Sequence, residues 1–473
     1  MLLAFLLADL GYSFWQYLQL PLDGDLAVIA WPSEMYTPVL HDPFGLRALL
    51  HHEVYAAPNR FFAHFFLYEY LRRVPLWLQA FLTPLDSVYM ACALLKLAIH
   101  GLLLYVLAVA ISNRRNVLSG PFLLAAALVT PLLQTSGFSG QMGVIDWSIT
   151  YAIFYALPGT LLLLFLLPFV RAALHGQAVR LSGLGYAGLV GLAVWLAFNG
   201  PVVAATVLLL LPAALLLSWW RRLVRQPAAP WLRRAARAVA ALPTARLLLF
   251  GFFSLLCLYS LYIGRFNVEN TWSDVPLGQR YALLPMGVFY QLTGKLGLPL
   301  LLLALLLNAW LVRRQLPTPG RAAVLSALKW LGVFALVYVL LLPLGGYRAY
   351  REDILRRDSI LPIILGMIGC FALSSFYLLG QLPGAARRRY AAGIGALLAV
   401  FTVADKPRLR DYNACERELF ATLAQSPAPV VRLPITCTMM DWQPLTDYRK
   451  SELNGQLLAY WGIIPAPKLY YQQ

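Results

Sequence analysis

Apolar residues run through this chain in long unbroken stretches, with the polar residues gathered between them. Crossing about 30 Å of hydrocarbon takes ~20 apolar residues. Runs near that length occur at 1–20, 87–111, 117–134, 149–170, 182–198, 201–219, 246–264, 296–312, 323–343, 360–380 and 391–404. The pattern predicts an all-α polytopic membrane protein with about eleven transmembrane helices. No positively charged stretch precedes the first run and no small-residue cleavage site ends it, so it is read as a retained span. Between the first two runs lies a long loop, 21–86. In it, Arg60, His64 and Tyr68 recur every four residues and form one stripe of a helix from Arg60 to Tyr70. Phe61, Phe62, Phe65, Phe66 and Leu67 cover the rest, and Pro75 interrupts it. A helix this apolar and too short to span belongs in the membrane interface. Gly45 to Glu53 reads similarly. The chain divides into a transmembrane domain, 1–404, and a small α+β tail, 405–473. In the tail a helix is expected at Glu416–Gln425 and a strand at Val430–Ile435. A second helix, capped by Asp447, is expected to run to Trp461 and stop at Gly462.

Composition agrees. The 473 residues are 60% hydrophobic and 12% charged, against about 45–50% and about 25% in soluble proteins. Soluble enzymes, disordered chains and coiled coils are excluded. The net charge of +17 would suggest nucleic acid in a soluble protein, but its distribution says otherwise. With the N-terminus in the cytoplasm, the inner loops are 112–116, 171–180, 220–246, 313–322 and 381–390. They hold seventeen arginines and no Asp or Glu. Apart from Asp9, every acidic residue falls on the outer side or at its boundary. This is the positive-inside pattern, so the basic charge reports topology and no nucleic-acid partner is expected. An odd number of spans places the tail outside a plasma membrane.

The chemistry is therefore expected on the outer face. Asp23-Gly24-Asp25 follows the first span directly, set among apolar residues. Two carboxylates so close at a membrane surface can serve as a base and a positioner. Candidate cations on the same side are Arg60, Arg265, Arg280, Lys295, Arg348 and Arg351. Arg348, Arg351, Glu352, Asp353, Arg356, Arg357 and Asp358 form a mixed-charge loop, read either as a solvated loop or as a phosphate clamp. His64 shares a face with Arg60 and is a candidate substrate contact or catalytic group. His41-Asp42 and His51-His52-Glu53 are polar candidates too, but their spacing fits no standard metal motif. No metal and no cofactor are expected.

One span, an outer loop opening with the acidic pair in LDGD (Leu22 to Asp25), interface helices around PNRFFAH (Pro58 to His64), then some ten further spans: this arrangement resembles the GT-C class of membrane glycosyltransferases. The resemblance covers the topology of about the first 400 residues. It implies transfer of a sugar from a polyprenyl-phosphate donor to an acceptor hydroxyl at the outer leaflet. Asp23 or Asp25 would be the catalytic base. Arg60, His64, His41, Asp42, Arg265, Arg280, Arg348 and Arg351 would bind substrate. Membrane lipids and the lipid-linked sugar are the implied partners. The alternatives are a lipid-linked glycan flippase or a membrane scaffold. Against a flippase, the third to eleventh runs carry almost no charge to line a polar path.

Two further pairings are expected. Asp9 and Lys96 lie at similar depths in the first two spans, so an ion pair between them is expected. His100 shares a helix face with Lys96. Cys415 and Cys437 lie in the tail, in an oxidising compartment on this topology, and are expected to form a disulfide. Cys92, Cys257 and Cys370 lie in apolar runs and are expected to be inert fillers.

Overall fold

The computed structural model describes residues 1–226, 230–271, 275–405 and 411–473. Six of its helices are long and apolar enough to cross a membrane: Pro84–Ser112, Ile149–His175, Pro201–Val224, Thr244–Phe266, Pro319–Gly345 and Leu361–Gln381. A seventh results if Leu277–Thr293 and Gly297–Arg313, which meet at 80°, count as one span. Among the described residues the number is thus six or seven, not the expected eleven. All eleven runs are helical, but several helices are short or carry charge. The run 1–20 yields the 17-residue Leu2–Leu18, about 26 Å long at ~1.5 Å per residue. The run 117–134 becomes Gly120–Val129 followed by a 3₁₀ turn containing Pro131. The run 182–198 gives 15 residues, Gly183–Ala197. The run 391–404 ends the helix Gly384–Ala404, whose early turns hold Arg387, Arg388 and Arg389. Hydropathy counts apolar residues whether or not one uninterrupted helix holds them.

Pro84–Ser112 is the central helix. Thr83 caps it, accepting from the Asp86 N–H at 3.2 Å, and Pro84 occupies the first turn, where no N–H is needed. Asn113, in left-handed geometry, ends it. The first helix, Phe61–Leu78, Gly120–Val129 and Leu157–His175 pack around it. Its two ends differ in chemistry. At the far end Arg171 grips the Asn113 side chain at 2.7 and 3.0 Å, and His175 meets the Ala110 carbonyl. At the near end Asp86 pairs with Arg417 of the tail at 2.7 Å. The tail also meets the end of the first helix, where Asn413 donates to the Leu18 carbonyl. The N-terminus and the tail therefore lie at opposite ends of the first helix.

The tail has the expected elements and one more. Ala414–Gln425 is a helix, and β1 (Val430–Leu433) pairs in parallel with β2 (Leu469–Gln472), a strand not anticipated. Asp447 accepts from the Arg449 N–H and starts a 3₁₀ turn that leads into helix Glu452–Tyr460. Gly462 leaves it with φ +72°. Cys415 and Cys437 are bonded, with Cα atoms 6.2 Å apart.

The tail is built into the rest of the fold. Glu416, 1% exposed, accepts from the Leu22 N–H (3.0 Å), the Tyr89 hydroxyl (2.6 Å) and the Met440 N–H (3.3 Å). Burial pushes its carboxyl up to about 7. Trp461 is fully buried and donates its indole N–H to the Leu71 carbonyl at 2.9 Å. That bond explains a departure from expectation. The helix expected to break at Pro75 runs unbroken from Phe61 to Leu78. Proline removes the N–H that would serve the carbonyl four residues back; here that carbonyl is Leu71's, and Trp461 serves it instead. The helix Leu46–His51 matches the second expected piece of the loop.

The Asp9–Lys96 pair does not form. Asp9 accepts from the Thr130 hydroxyl at 2.6 Å, while Lys96 donates to the Trp147 carbonyl. His100 meets the Tyr17 hydroxyl at 2.9 Å. The first helix does pack on the central one, but equal depth says nothing about which side of a helix a residue occupies.

Candidate active site

The LDGD turn is held from both sides. Asp23, 2% exposed, accepts from the Ser148 hydroxyl (2.8 Å), the Thr150 N–H (3.0 Å) and the Asp25 N–H (3.1 Å). Both its oxygens are engaged, so it anchors the start of the helix at Ile149 to the turn. Gly24 has no side chain because there is no room for one: a Cβ would lie 2.6 Å from both Cδ1 and the backbone N of Trp442. The tail therefore lies directly over the motif. Asp25 is only partly buried, and its Oδ1 accepts from the Trp442 indole at 3.0 Å. Burial, then the charge of Asp23, pushes the Asp25 carboxyl up to about 6, against the pull of the indole and of Arg356.

A path of rings leads from Asp25 to a group of arginines. Trp442 packs on Tyr151 with centroids 5.6 Å apart, and Tyr151 meets Tyr155 edge-on at 5.6 Å. One turn apart on the helix, these tyrosines form a single face. Arg356 donates to the Tyr151 hydroxyl and Arg351 to that of Tyr155, each at 3.1 Å. Arg60 lies over Phe154 and Tyr155, 5.6 and 5.8 Å from the centroids. The helix takes π geometry over Ala152–Ala156. Pro158 follows and has no N–H for the Phe154 carbonyl, which accounts for the widened turn. Gly200, at φ +106°, leaves room for Arg60, whose Nε would sit 2.6 Å from a Cβ there.

Asp358 organises the loop. Arg356 holds it with a two-pronged bond of 2.7 and 3.0 Å, and Arg351 adds one of 2.6 Å. Burial alone would raise the Asp358 carboxyl, but Arg351 and Arg356 outweigh it and hold it well below the usual range. Arg348 bonds Asn270 at 2.6 Å and stands 3.7 Å from Glu269. The guanidinium groups of Arg60, Arg348, Arg351 and Arg356 thus gather around Glu269 and Asp358.

His64 lies beside this group. It is 1% exposed, stacks on Tyr36 at 5.2 Å, and neither ring nitrogen has a hydrogen-bond partner. Burial and the neighbouring Arg60 push it down to about 3, so it is neutral near pH 7 and does not serve as a general acid there.

The other expected site residues lie elsewhere. Asp42 caps Leu46–His51, accepting from the N–H groups of Leu46 and Arg47 and from the Tyr55 hydroxyl at 2.7–2.8 Å. It is a structural cap. His41 is exposed. Arg265 is exposed and stacks on Tyr262. Arg280 ties its own helix start to the Pro343 carbonyl, and Lys295 donates to the Ser139 carbonyl. Among the described residues no group of three or more His, Cys, Asp or Glu is placed to hold a metal.

Sequence reasoning missed Tyr36, Tyr151, Tyr155, Glu269 and Trp442. Nothing local distinguishes them. The one available signal was Tyr151-x-x-x-Tyr155 at helical spacing directly after the polar 134–148 loop. Two water-sized cavities of about 10 Å³ each lie among the described residues, one lined by Tyr151, Tyr155 and Asp358 and the other by Asp9, Gln134 and Asp405. Asp23 is enclosed, and Asp25 lies under Trp442. No protein-family model, curated protein or solved structure matches this chain.

Proposed function

We propose that the protein is a membrane glycosyltransferase that moves a sugar from a polyprenyl-phosphate donor to an acceptor hydroxyl. In this reading the N-terminus and the basic loops are cytoplasmic, and the tail and LDGD turn lie outside, at the surface of a plasma membrane. The observation that carries it is the pairing of one poised carboxylate with a cation group. Asp25 has its carboxyl pushed up to about 6, and it is joined through Trp442 and Tyr151 to Arg356.

The reaction follows from these positions. The acceptor oxygen attacks the anomeric carbon, and the bond from that carbon to the phosphate oxygen breaks. The phosphate leaves with the electron pair, and the acceptor proton passes to the Asp25 carboxylate. Near pH 7 Asp25 is mostly ionised and able to take that proton. The leaving phosphate gains negative charge, which Arg60, Arg348, Arg351 and Arg356 stabilise in place. Asp23 and Asp358 are positioning residues; the first fixes the turn and the second aligns two arginines. Trp442 covers Asp25, so the acceptor reaches the base when the indole withdraws.

Arg60 has no carboxylate within ion-pair distance among the described residues, so replacing it strands no acid. Binding of a short-chain prenyl phosphate to the purified protein in detergent is expected to weaken about tenfold in Arg60→Gln. Equal binding by both proteins, or none by the wild type, contradicts the reading.

A further inference from the structure

A second group of polar side chains takes no part in the proposed reaction. Asp9, Thr130, Gln134 and Asp405 face one water-sized cavity of about 10 Å³. Asp9 comes from the first helix, Gln134 from the loop after Gly120–Val129, and Asp405 from the end of Gly384–Ala404. Three segments far apart in sequence converge here.

Their oxygens are unevenly satisfied. Asp405 Oδ1 accepts from the Ser136 N–H and hydroxyl at 2.9 and 3.0 Å. Asp9 accepts one bond at Oδ2, from Thr130. Gln134, 1% exposed, donates Nε2 to the carbonyls of Pro131 and Phe401, at 3.1 and 2.5 Å. Those two acceptors fix which end of the amide is nitrogen. Its Oε1 has no partner and lies over Gly137, 1.5 Å from where a Cβ would be. Beside it, fully buried Gln16 donates to the Asp405 carbonyl and also leaves its Oε1 unpaired. No Lys, Arg or His lies within ion-pair distance of Asp9 or Asp405 among the described residues. Lys96, the cation expected to pair with Asp9, is committed to the Trp147 carbonyl.

We infer that Asp9, Asp405 and Gln134 form a binding site for a small monovalent cation of the sodium class. The donors are all hard oxygens, with no thiolate or imidazole, which suits a hard cation. The cavity admits one particle the size of a water. Asp405 Oδ1 already accepts two bonds from Ser136, whereas Asp9 accepts one, from Thr130, so the less satisfied carboxylate is Asp9's, which one positive charge balances. A carboxylate left uncompensated between apolar helices is costly. The bound cation joins the first helix, the Gly/Ser-rich loop and the helix leading to the tail, and so braces the assembly that places Trp442 over Asp25.

The test uses the purified full-length protein in detergent micelles. Binding of ²²Na⁺ is measured by scintillation proximity, and thermal unfolding is followed in NaCl, KCl and choline chloride at equal ionic strength. Saturable binding of about one Na⁺ per chain and a higher midpoint in NaCl are expected. Asp9→Asn, isosteric and still able to accept from Thr130, is expected to weaken Na⁺ binding by at least about tenfold. Thr130→Val removes a donor but no ligand and is expected to retain binding. Equal midpoints in all three salts, or no ²²Na⁺ binding by folded wild type, overturn the site. Stabilisation by acid in every salt, reproduced by Asp9→Asn, also overturns it, because the carboxylates then share a proton. If Asp9→Asn fails to fold, Gln134→Met takes its place, and unchanged Na⁺ affinity there overturns the assignment of Gln134.

Discussion

At Asp25 the proton equilibrium is set by neighbours that pull in opposite directions. Burial and Asp23 raise its carboxyl to about 6, while the Trp442 indole and Arg356 favour the charged form. A general base must be deprotonated, so turnover is expected to fall as pH drops through about 6. His64 does not supply that limb, since burial and Arg60 put it at about 3. Trp442→Phe removes a bond to the carboxylate form. The Asp25 carboxyl then rises, and the acid limb is expected to move to higher pH by about 0.5–1 unit. A pH–rate profile of the two proteins checks this, and a limb that stays in place contradicts the role given to the indole. Asp23 and Asp25 were equal candidates in the sequence. They separate only because residues 148 and 150 occupy the acceptors of one and residue 442 covers the other, and contacts that distant leave no local trace.

Among the elements, Phe61–Leu78 depends on a partner nearly 400 residues away. Trp461 serves the Leu71 carbonyl that Pro75 leaves without an N–H. Trp461→Phe is expected to cost about 1–3 kcal/mol for the orphaned buried carbonyl, in addition to any packing change. Pro75→Ala restores an N–H to Leu71, so the same tryptophan change is expected to cost less in that background. A double-mutant cycle by denaturant unfolding measures the difference, and strict additivity contradicts the explanation. The sequence made the helices legible because apolar runs and helix-spaced stripes are local properties. Gly462 at a stop is local as well. The number of membrane-length helices was overestimated because Pro131 and Arg387 to Arg389 shorten or charge helices that hydropathy alone counts as spans. β2 was missed because Leu469 to Gln472 is four residues long and becomes a strand only through β1. The Asp9–Lys96 pairing failed because depth along a helix does not fix direction around it.

Taken as a whole, the molecule separates its charges. Arg171 binds at the end of the central helix marked by Asn113, with Arg246 packed on neighbouring Phe169, and the acidic turn and the tail meet at the other. Cysteines introduced at exposed Ala421 and exposed Gly384 report on opposite ends. In right-side-out vesicles, an impermeant maleimide is expected to label Ala421→Cys directly and Gly384→Cys only after permeabilisation. Labelling of both from one side contradicts the proposed topology.

The central claim, that Asp25 takes the acceptor proton while the arginines hold the leaving phosphate, is tested most directly by single-turnover release of free prenyl phosphate. The donors are a panel of short-chain prenyl-phosphate-linked sugars, and the proteins are wild type and Asp25→Asn. Asn keeps the shape and an acceptor for Trp442 but removes the basic group. Release is expected to slow by about 10²–10⁴-fold, with prenyl phosphate binding within a few fold of wild type. Undiminished release by Asp25→Asn, or no release from any donor by the wild type, contradicts the account.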